Sequence, residues 1–344
     1  MLREAHRRIE RPYGPRPGDV AFAQLWHNYT CANFDDAEAD ALTLINNTDE
    51  VHENTYLVES RLVYSRLRQI RGDFATANRH IEIANTGRTT QSELQNLLTF
   101  VARTFVGANE GSYDSVLPLV RHVSRTQTAL HRWRWQPGWL VVAMRTAVRA
   151  GDLELASETV KLAEHLVKRN PNVITAVGIL EHLRGLLQRD VKALQRATHL
   201  LEQSPRRFML ADALADYGEE LLVRGHRRAA IAILERSFEH FGALGATYDV
   251  ERVVRFLQKA GARGRRWALR RGKPLSGWDS LTRTEQRVAR LIAEGHTNRA
   301  AAAILALSAN TIATHLRVIF GKLGVNSRVQ LTRSILALPP DDAK

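Results

Sequence analysis

The chain has 344 residues, of which 44% are hydrophobic, so it is long enough for two or three domains with apolar cores. Lys and Arg number 49 against 36 Asp and Glu, which gives a formal net charge of +13. The single cysteine, Cys31, excludes an intramolecular disulfide and a cysteine metal cluster. No stretch approaches the roughly 18 apolar residues of a membrane span, and the first residues lack the apolar segment of a signal peptide. We therefore expect a folded, cytoplasmic protein with no membrane partner.

The positive charge is concentrated near the C-terminus. Residues 261–344 hold 15 Lys or Arg and 5 Asp or Glu, a net charge of +10, whereas residues 1–260 carry only +3. A basic module joined to a nearly neutral body usually meets a polyanion. The charge pattern makes nucleic acid the leading candidate partner.

The nearly neutral part of the chain has the pattern of helices rather than strands. Its periodic segments are rich in Ala, Leu, Arg, Glu and Gln, and no alternating run is long enough to build a sheet. A predicted helix start after a turn recurs every 36 to 40 residues, at Phe34, Phe74, Tyr113, Leu153, Val191 and Arg227. A period near 39 residues is typical of helical repeats.

Each predicted repeat continues the apolar face of its helix. Counting each start with the third, seventh and tenth positions after it, 21 of 24 positions are apolar, where composition alone gives about ten. Turn residues such as Gly72-Asp73 and Gly151-Asp152 precede several starts, because glycine suits a helix end and aspartate a helix start. Six stacked helix pairs predict a solenoid with a concave binding surface. These turns and the small residues at the third position resemble tetratricopeptide-like repeats.

Within this region, Trp133, Trp135 and Trp139 lie close together in the segment HRWRWQPGW. An indole cluster of this density suits a ligand groove, but tryptophans at helical spacing also pack between helices. Both interpretations stay open. The thirteen histidines include no HExxH pair, so we expect neither a metal site nor a cofactor.

A basic linker is predicted at residues 261–280. Its segment ARGRRWALRRGKPLSGWDS has six positive residues before the only acid, Asp279. Two interpretations of these arginines are equally good: they contact nucleic-acid phosphates, or they form a strip exposed to solvent.

The module after the linker begins with two predicted helices. Thr282 and Glu285 have the spacing of a capping box, in which each residue satisfies a backbone amide of the other at a helix start. Gly295 suits the end of this first helix. A second, short helix is predicted to begin at Thr297 or Asn298 and to end at Leu305.

Two further helices follow a tight turn. Ser308 is placed to cap the third helix, Gly324 to end it, and Ser327 to cap the fourth. The third helix has two unlike faces, one with Ile312, His315, Leu316 and Ile319 and the other with Asn310, Ala313, Thr314 and Arg317. A short helix, a tight turn and a longer helix with small and basic outward residues are typical of a helix-turn-helix. For His315, a packed core position and a functional role both stay open.

Nineteen positions of this module follow one pattern without a gap, at Leu281, Thr282, Glu285, Val288, Leu291, Ala293, Gly295, Asn298, Ala302, Leu305, Ser308, Thr311, His315, Ile319, Lys322, Leu323, Gly324, Val325 and Arg328. The segment strongly resembles the DNA-binding domain of LuxR/NarL-type regulators. It departs from that pattern at Thr284, where arginine is usual, and at Ala300 and Ala301, where a Glu-Ile pair is usual. The departures predict weaker packing of the second helix.

The resemblance implies which residues contact double-stranded DNA. Ala313, Thr314 and Arg317 would face base edges, with Arg317 favouring guanine and the Ala313 methyl group meeting a thymine methyl group. Because the basic residue common at position 313 is absent, we expect modest sequence selectivity. The implied phosphate contacts are Thr297, Asn298, Ser308, Asn310, Thr311, Lys322 and Arg328.

The fourth helix of this family commonly forms a two-fold dimer on DNA. Val329 and Leu336 give that helix an apolar strip suited to a homodimer, which would read an inverted repeat with half-sites about one helical turn apart. Burial of the strip against the protein's own third helix is the alternative.

A phosphate-binding loop is absent from the sequence. No GxxxxGK[ST] motif occurs, so we expect no ATPase activity, and no grouping of a nucleophile with a base points to an enzyme. Large LuxR-type regulators often place an ATPase before a helical-repeat sensor and a C-terminal helix-turn-helix, and this chain resembles only the last two parts. It is therefore either a compact regulator or a piece of a longer one.

Together these features predict an all-α protein with three parts. A tetratricopeptide-like sensor or interaction solenoid spans residues 1–260, the linker spans 261–280, and a four-helix LuxR-type domain spans 281–338. The resemblance implies a bacterial transcription regulator whose solenoid senses a small-molecule or protein effector. The alternative is an interaction scaffold that uses DNA binding only for localisation.

Overall fold

A computed structural model describes residues 17–46, 54–85, 99, 102–105, 107, 111, 113–125, 138–262, 278, 281, 283–305 and 307–336. The regular secondary structure of these residues is helical, without strands. The expected all-α fold is confirmed. None of the helices in these ranges combines the length and the apolar character needed to cross a bilayer.

The helices follow one another through short turns. In chain order they are α1 Pro17–Thr30, α2 Phe34–Asn46, α3 Asn54–Ile70, α4 Phe74–Asn85, α5 Tyr113–Arg125, α6 Gly138–Arg149, α7 Leu153–Arg169, α8 Ile174–Gln188, α9 Val191–Glu202, α10 Arg207–Val223, α11 Arg227–Ala243, α12 Thr247–Lys259, α13 Arg283–Ala293, α14 Asn298–Leu305, α15 Ala309–Leu323 and α16 Arg328–Leu336.

All six predicted repeat starts are the first residues of helices, namely of α2, α4, α5, α7, α9 and α11. The residue two places before each start has a left-handed backbone, with φ between 54° and 81°, at Ala32, Gly72, Gly111, Gly151, Arg189 and Gly225. The repeats therefore share one turn geometry even where the sequence does not supply glycine. This turn confirms the tetratricopeptide-like helical repeat.

The turn before α7 illustrates the geometry. Gly151 has φ of 74°, which an L side chain rarely adopts, and the next amide, of Asp152, donates to the carbonyl of Ala147 at 2.8 Å. The Asp152 carboxylate then accepts the amide of Leu155 at 3.1 Å and caps α7. These two hydrogen bonds pair a backbone carbonyl at the end of α6 and a backbone amide at the start of α7.

Glycines bring the helices of later repeats close together. A Cβ atom added at Gly218 of α10 would lie 2.6 Å from Cγ of Leu234 in α11. Gly185 of α8 stands in the same relation to Leu194 of α9, also at 2.6 Å. The apolar positions that repeat along the sequence therefore fill notches left by glycine on the preceding helix.

The chain forms two compact units. One contains the described residues of 1–28, 35–60 and 271–344, and the other contains those of 29–34 and 61–270. We call the second the repeat unit. The predicted domain limits stay predictions, and most of the basic linker lies outside the described residues.

Candidate nucleic-acid interface and ligand cavity

Helices α13 to α16 enclose one apolar core, with Leu281, Val288, Ala289, Ile292, Ala301, Ala302, Ile312, Leu316, Ile319, Val325 and Leu331 buried in it. The core draws on all four helices, so it fixes α15 relative to the two helices before it. Ala301, where the family pattern has a larger residue, is itself buried. Weaker packing of α14 remains a prediction.

The third helix of this domain has both of its predicted ends. The Ser308 hydroxyl accepts the amide of Thr311 at 3.0 Å and so caps α15. At the other end, Gly324 has φ of 65°, and the amide of Val325 donates to the carbonyl of Phe320 at 3.0 Å. The predicted cap and stop signals of α15 are confirmed.

The two predicted faces of α15 differ in burial. Ile312, His315, Leu316 and Ile319 are buried, whereas Ala313 and Arg317 are exposed. His315 therefore occupies a packed core position, and burial lowers the pKa of its imidazole. The exposed side chains are the ones that a nucleic-acid groove can reach.

Thr314, a predicted base contact, is half-buried because it touches α2 of the same compact unit. Its hydroxyl oxygen lies 3.2 Å from that of Thr43, and the Thr43 hydroxyl also donates to the carbonyl of Ala39 at 2.8 Å. Nearby, the Thr284 hydroxyl donates to Asp36 at 3.0 Å. A base contact by Thr314 would have to replace its contact with Thr43.

Lys322, a predicted phosphate contact, forms a salt bridge inside the domain. Its ammonium group donates to both carboxylate oxygens of the buried Glu285, at 2.9 and 2.7 Å. The bond ties α15 to α13, so any phosphate must compete with Glu285 for this ammonium group. Thr282, the other half of the predicted capping box, lies outside the described residues.

Other predicted phosphate contacts lie at helix ends. The Thr297 hydroxyl accepts the amide of Ala300 at 3.1 Å, so Thr297 caps α14. The Arg328 guanidinium donates to the Asn298 side-chain oxygen at 2.7 Å and to the carbonyl of His296 at 2.5 Å. These bonds place Asn298 and Arg328 together on the exposed surface near the start of α14.

The remaining predicted phosphate contacts differ in exposure. Ser308 is exposed while it caps α15, and Thr311 is buried with its hydroxyl 2.8 Å from that of Ser308. The side chain of Asn310 lies outside the described residues. Ser308 is thus the more accessible of the two described hydroxyl groups.

The predicted dimer strip lies on the surface of α16. Val329 is 62% exposed and Leu336 is 77% exposed, whereas Leu331 is fully buried in the domain's own core. Burial within the domain therefore accounts for Leu331 and leaves the other two side chains open to a partner.

The repeat unit contains a cavity of about 380 Å³. Aromatic rings form much of its wall, from Tyr29, Phe34, Phe105, Tyr113, Trp139, Phe208, Tyr248 and Phe256. Trp139 lines the cavity and is also fully buried in the helix core, so both interpretations of this residue have a structural basis. Trp133 and Trp135 lie outside the described residues.

A buried network of charges forms one side of this cavity. Arg145 donates to Asp216 through Nε at 3.0 Å and forms a salt bridge with Asp212 at 2.8 Å. The buried His182 donates through Nε2 to Asp216 at 2.7 Å. Arg252 adds a salt bridge to Asp212 at 2.7 Å.

The paired guanidinium groups keep the acids of this network ionised. Attraction to Arg145 and the bond from His182 hold the pKa of Asp216 well below its usual range, against the effect of burial. By contrast, burial raises the pKa of Asp249 and of Glu219, which also line the cavity. The wall thus combines fixed charges with acids that protonate more easily.

Sequence reasoning missed this network because its members are far apart in the chain. They lie on α6, α8, α10 and α12. The available signal was the segment ADALAD, in which Asp212 and Asp216 stand four residues apart within an otherwise apolar stretch of the helix. Two acids on one buried helix face require cationic partners. Among the described residues, no group of three His, Cys, Asp or Glu side chains is arranged to hold a metal ion.

Comparison with known proteins identifies the C-terminal domain. Residues 279–335 match the family of bacterial regulatory proteins called the luxR family, so this segment is a LuxR-family helix-turn-helix. The chain is 32% identical over 206 residues to HTH-type transcriptional regulators of Mycobacterium tuberculosis and Mycobacterium bovis. That match covers 56% of this chain but only 22% of each relative. Both matches are to transcriptional regulators.

A solved structure can be aligned with most of this chain. It is a Rap protein complexed with competence and sporulation factor, with a TM-score of 0.49 and 11% sequence identity. The match covers 93% of this chain and 94% of the Rap chain.

Proposed function

We propose that this protein is a sequence-specific DNA-binding transcriptional regulator of LuxR type. The observation that carries the proposal is α15, which buries one face in a LuxR-family domain and exposes Ala313 and Arg317 on the other. A helix held in this way can enter the major groove, where base edges carry a distinct pattern of donors and acceptors.

In this proposal, Arg317 is the principal base reader. Its guanidinium can donate two parallel hydrogen bonds to O6 and N7 of guanine, and the methyl group of Ala313 can contact that of thymine. The hydroxyl-bearing and basic side chains at the ends of α14, α15 and α16 hold the phosphates and set the register. The domain from Leu281 to Leu331 has 7 Lys or Arg and 2 Glu, so we expect affinity to fall steeply as salt rises.

Replacement of Arg317 tests the proposal. The preferred DNA sequence is first identified from the fragments that the full chain retains in cells. Arg317→Ala should then weaken binding to that sequence by about 1 to 3 kcal/mol and relax the preference for one base pair. Arg287→Ala removes the same charge from the exposed surface of α13 and should leave base preference unchanged. Binding without any sequence preference, or equal preference in both variants, would contradict the proposal.

We further propose that the domain binds DNA as a homodimer through α16. The exposed side chains of Val329 and Leu336 support a two-fold contact, which predicts an inverted-repeat operator. Val329→Asp should shift the DNA complex from two chains to one in sedimentation experiments. Gln330→Glu adds the same negative charge to an exposed residue about a quarter turn around the same helix from this strip, and should leave two chains on the DNA.

The repeat unit is proposed to sense an effector. Its cavity is within the size range of small-molecule sites, which is about 300 to 1,000 Å³. An effector changes DNA binding only if it binds the two states of the protein with different affinity. The test is to titrate DNA in the presence and absence of a cavity ligand. Equal DNA affinity with the cavity filled and empty would refute a regulatory role.

A further inference from the structure

Charge is distributed unevenly around the cavity of the repeat unit. Seven cationic side chains line it, Arg66, Arg145, Arg149, Arg206, Arg252, Arg255 and Lys259, against three carboxyl groups, Asp212, Glu219 and Asp249. Arg145 and Arg252 are held by the buried network described above. The excess of positive charge therefore lies with the other cations.

Arg206 is a partly buried cation of this cavity that pairs with no described carboxylate. It is half-buried at the start of α10, and among the described residues no carboxylate lies within ion-pair distance of it. Burial lowers the pKa of its guanidinium, and only Cys31 and Tyr29 act in the opposite direction. Burial also raises the pKa of Tyr29, so its phenol is neutral at pH 7 and supplies no counter-charge. A half-buried cation that pairs with no carboxylate of the described residues is costly, and an anion would relieve that cost.

Arg66 is a second cation near Tyr29, and it stands beside aromatic rings. Its guanidinium carbon lies 3.9 Å from the centre of the Phe105 ring and 5.9 Å from that of Phe208. Gln69 accepts one of its N–H groups at 3.3 Å, and Asp249 attracts Arg66 without an ion pair within 4 Å among the described residues. Both Arg66 and Arg206 act on the phenol of Tyr29, so they share one end of the cavity.

The aromatic wall continues from this cationic end. Phe208 packs edge-on against Phe34, with ring centres 5.7 Å apart, and against Phe241, at 5.3 Å. Phe208 lies two residues after Arg206, so one short segment presents both a guanidinium and a ring to the cavity. This juxtaposition suits a molecule that carries a negative group next to a flat apolar body.

We propose that the cavity binds a small aromatic carboxylate, with its carboxylate on Arg206 and Arg66 and its ring against Phe105 and Phe208. A planar guanidinium matches a carboxylate by two parallel hydrogen bonds. A phosphate ester is the alternative anion for the same guanidinium groups, and direct comparison of the two ligand classes distinguishes them. The inference rests on the proposed sensing role of the repeat unit and names the chemical class of its ligand.

Calorimetry on the full chain tests the inference directly. The probes are indole-3-acetate and 4-phenylbutyrate, with indole-3-acetamide as the uncharged match and phenyl phosphate as the alternative anion. We expect saturable binding of one carboxylate per chain with a dissociation constant of about 1 mM or lower. The amide should bind at least about tenfold more weakly because it leaves Arg206 without a counter-charge. Tighter binding of phenyl phosphate, or equal binding of the amide, would overturn the assignment.

Two adjacent arginines provide a matched pair of variants. Arg206→Ala should weaken carboxylate binding by about 10- to 100-fold and leave amide binding unchanged. Arg207→Ala removes an exposed arginine that does not line the cavity, so it should change neither carboxylate binding nor amide binding. Because Arg206 forms no ion pair with a carboxylate of the described residues, its variant should unfold at the same temperature as the original chain or higher.

The remaining outcomes separate this inference from the proposed function. Equal losses in the two variants, or no saturable binding of either carboxylate to the folded chain, would overturn the inference. DNA binding is measured separately on the same preparations. Carboxylate binding without DNA binding would support the ligand assignment and contradict the proposed regulator, whereas the reverse result would contradict the ligand assignment alone.

Discussion

The helix-turn-helix and the charge network of the repeat unit are built over very different distances in the sequence. The first takes its caps, core and exposed face from residues 281–336. In the second, Asp216 bonds Arg145 from 71 residues away and His182 from 34 residues away. A helix-turn-helix can therefore be encoded in one short segment, whereas the wall of the cavity depends on how several repeats stack.

The largest expected effect comes from breaking the network. Asp216→Ala leaves His182 and one side of Arg145 without an acceptor, so the free energy of unfolding of the repeat unit should fall by about 3 to 5 kcal/mol. Urea denaturation followed by circular dichroism measures the change. Glu164→Ala removes an exposed salt bridge to Arg184 and should cost about 1 kcal/mol or less. Similar losses in the two variants would mean that the buried network adds no special stability.

A second test contrasts Asp216 with a buried acid that pairs with no guanidinium group of the described residues. Asp40 accepts a hydrogen bond from Asn28 at 2.8 Å, and burial, reinforced by Asp36, raises its pKa to about 7. The unfolded carboxyl titrates near 4, so the folded state binds more protons between about pH 4 and 7, and stability falls as pH rises through that window.

Asp40→Asn removes this loss. At pH 8 the variant should be more stable than the original chain by about 2 to 4 kcal/mol, while at pH 4 the two should be nearly equal. Melting temperatures of both proteins across this pH range give the measurement. A gain that is the same at both pH values would point to packing rather than to titration of Asp40.

The packing of neighbouring helices provides a local test. Gly218→Ala places a methyl group 2.6 Å from Leu234 and should destabilise the repeat unit by about 1 to 3 kcal/mol. Gly242→Ala adds the same group to an exposed helical position with nothing within 4 Å, so it should stabilise by about 0.5 to 1 kcal/mol. Chemical denaturation of the two variants checks the opposite signs. Destabilisation by both changes would show that the notch at Gly218 is not the cause.

The smallest effect is expected at a turn. Arg189 has φ of 54° where four other repeats have glycine, so Arg189→Gly should relieve about 1 kcal/mol of backbone strain and lose part of that with the exposed ion pair to Glu220. The net gain should be about 0.5 kcal/mol, seen as a slightly higher melting temperature. The reverse change, Gly225→Ala, should cost about 1 kcal/mol because no contact compensates the left-handed backbone. Equal melting temperatures for all three proteins would contradict the strain argument.

Features that depend on neighbouring residues could be predicted from the sequence. The six repeat starts, the cap at Ser308 and the buried side of α15 all follow from helix periodicity and end signals. By contrast, the salt bridge between Lys322 and Glu285 could not be predicted in this way, because it joins two helices across 37 residues. Periodicity shows which side of a helix is buried but not which charged groups of other helices meet it.

The charge network also affects how the repeats unfold. In most repeat arrays each unit contacts only its neighbours, so stability is close to a sum of local terms and ends can fray independently. Here Asp216 of α10 is bonded to both α6 and α8, and Arg252 of α12 joins the same group. Those bonds couple helices from successive repeats, so residues 138–259 should melt as one cooperative block rather than repeat by repeat.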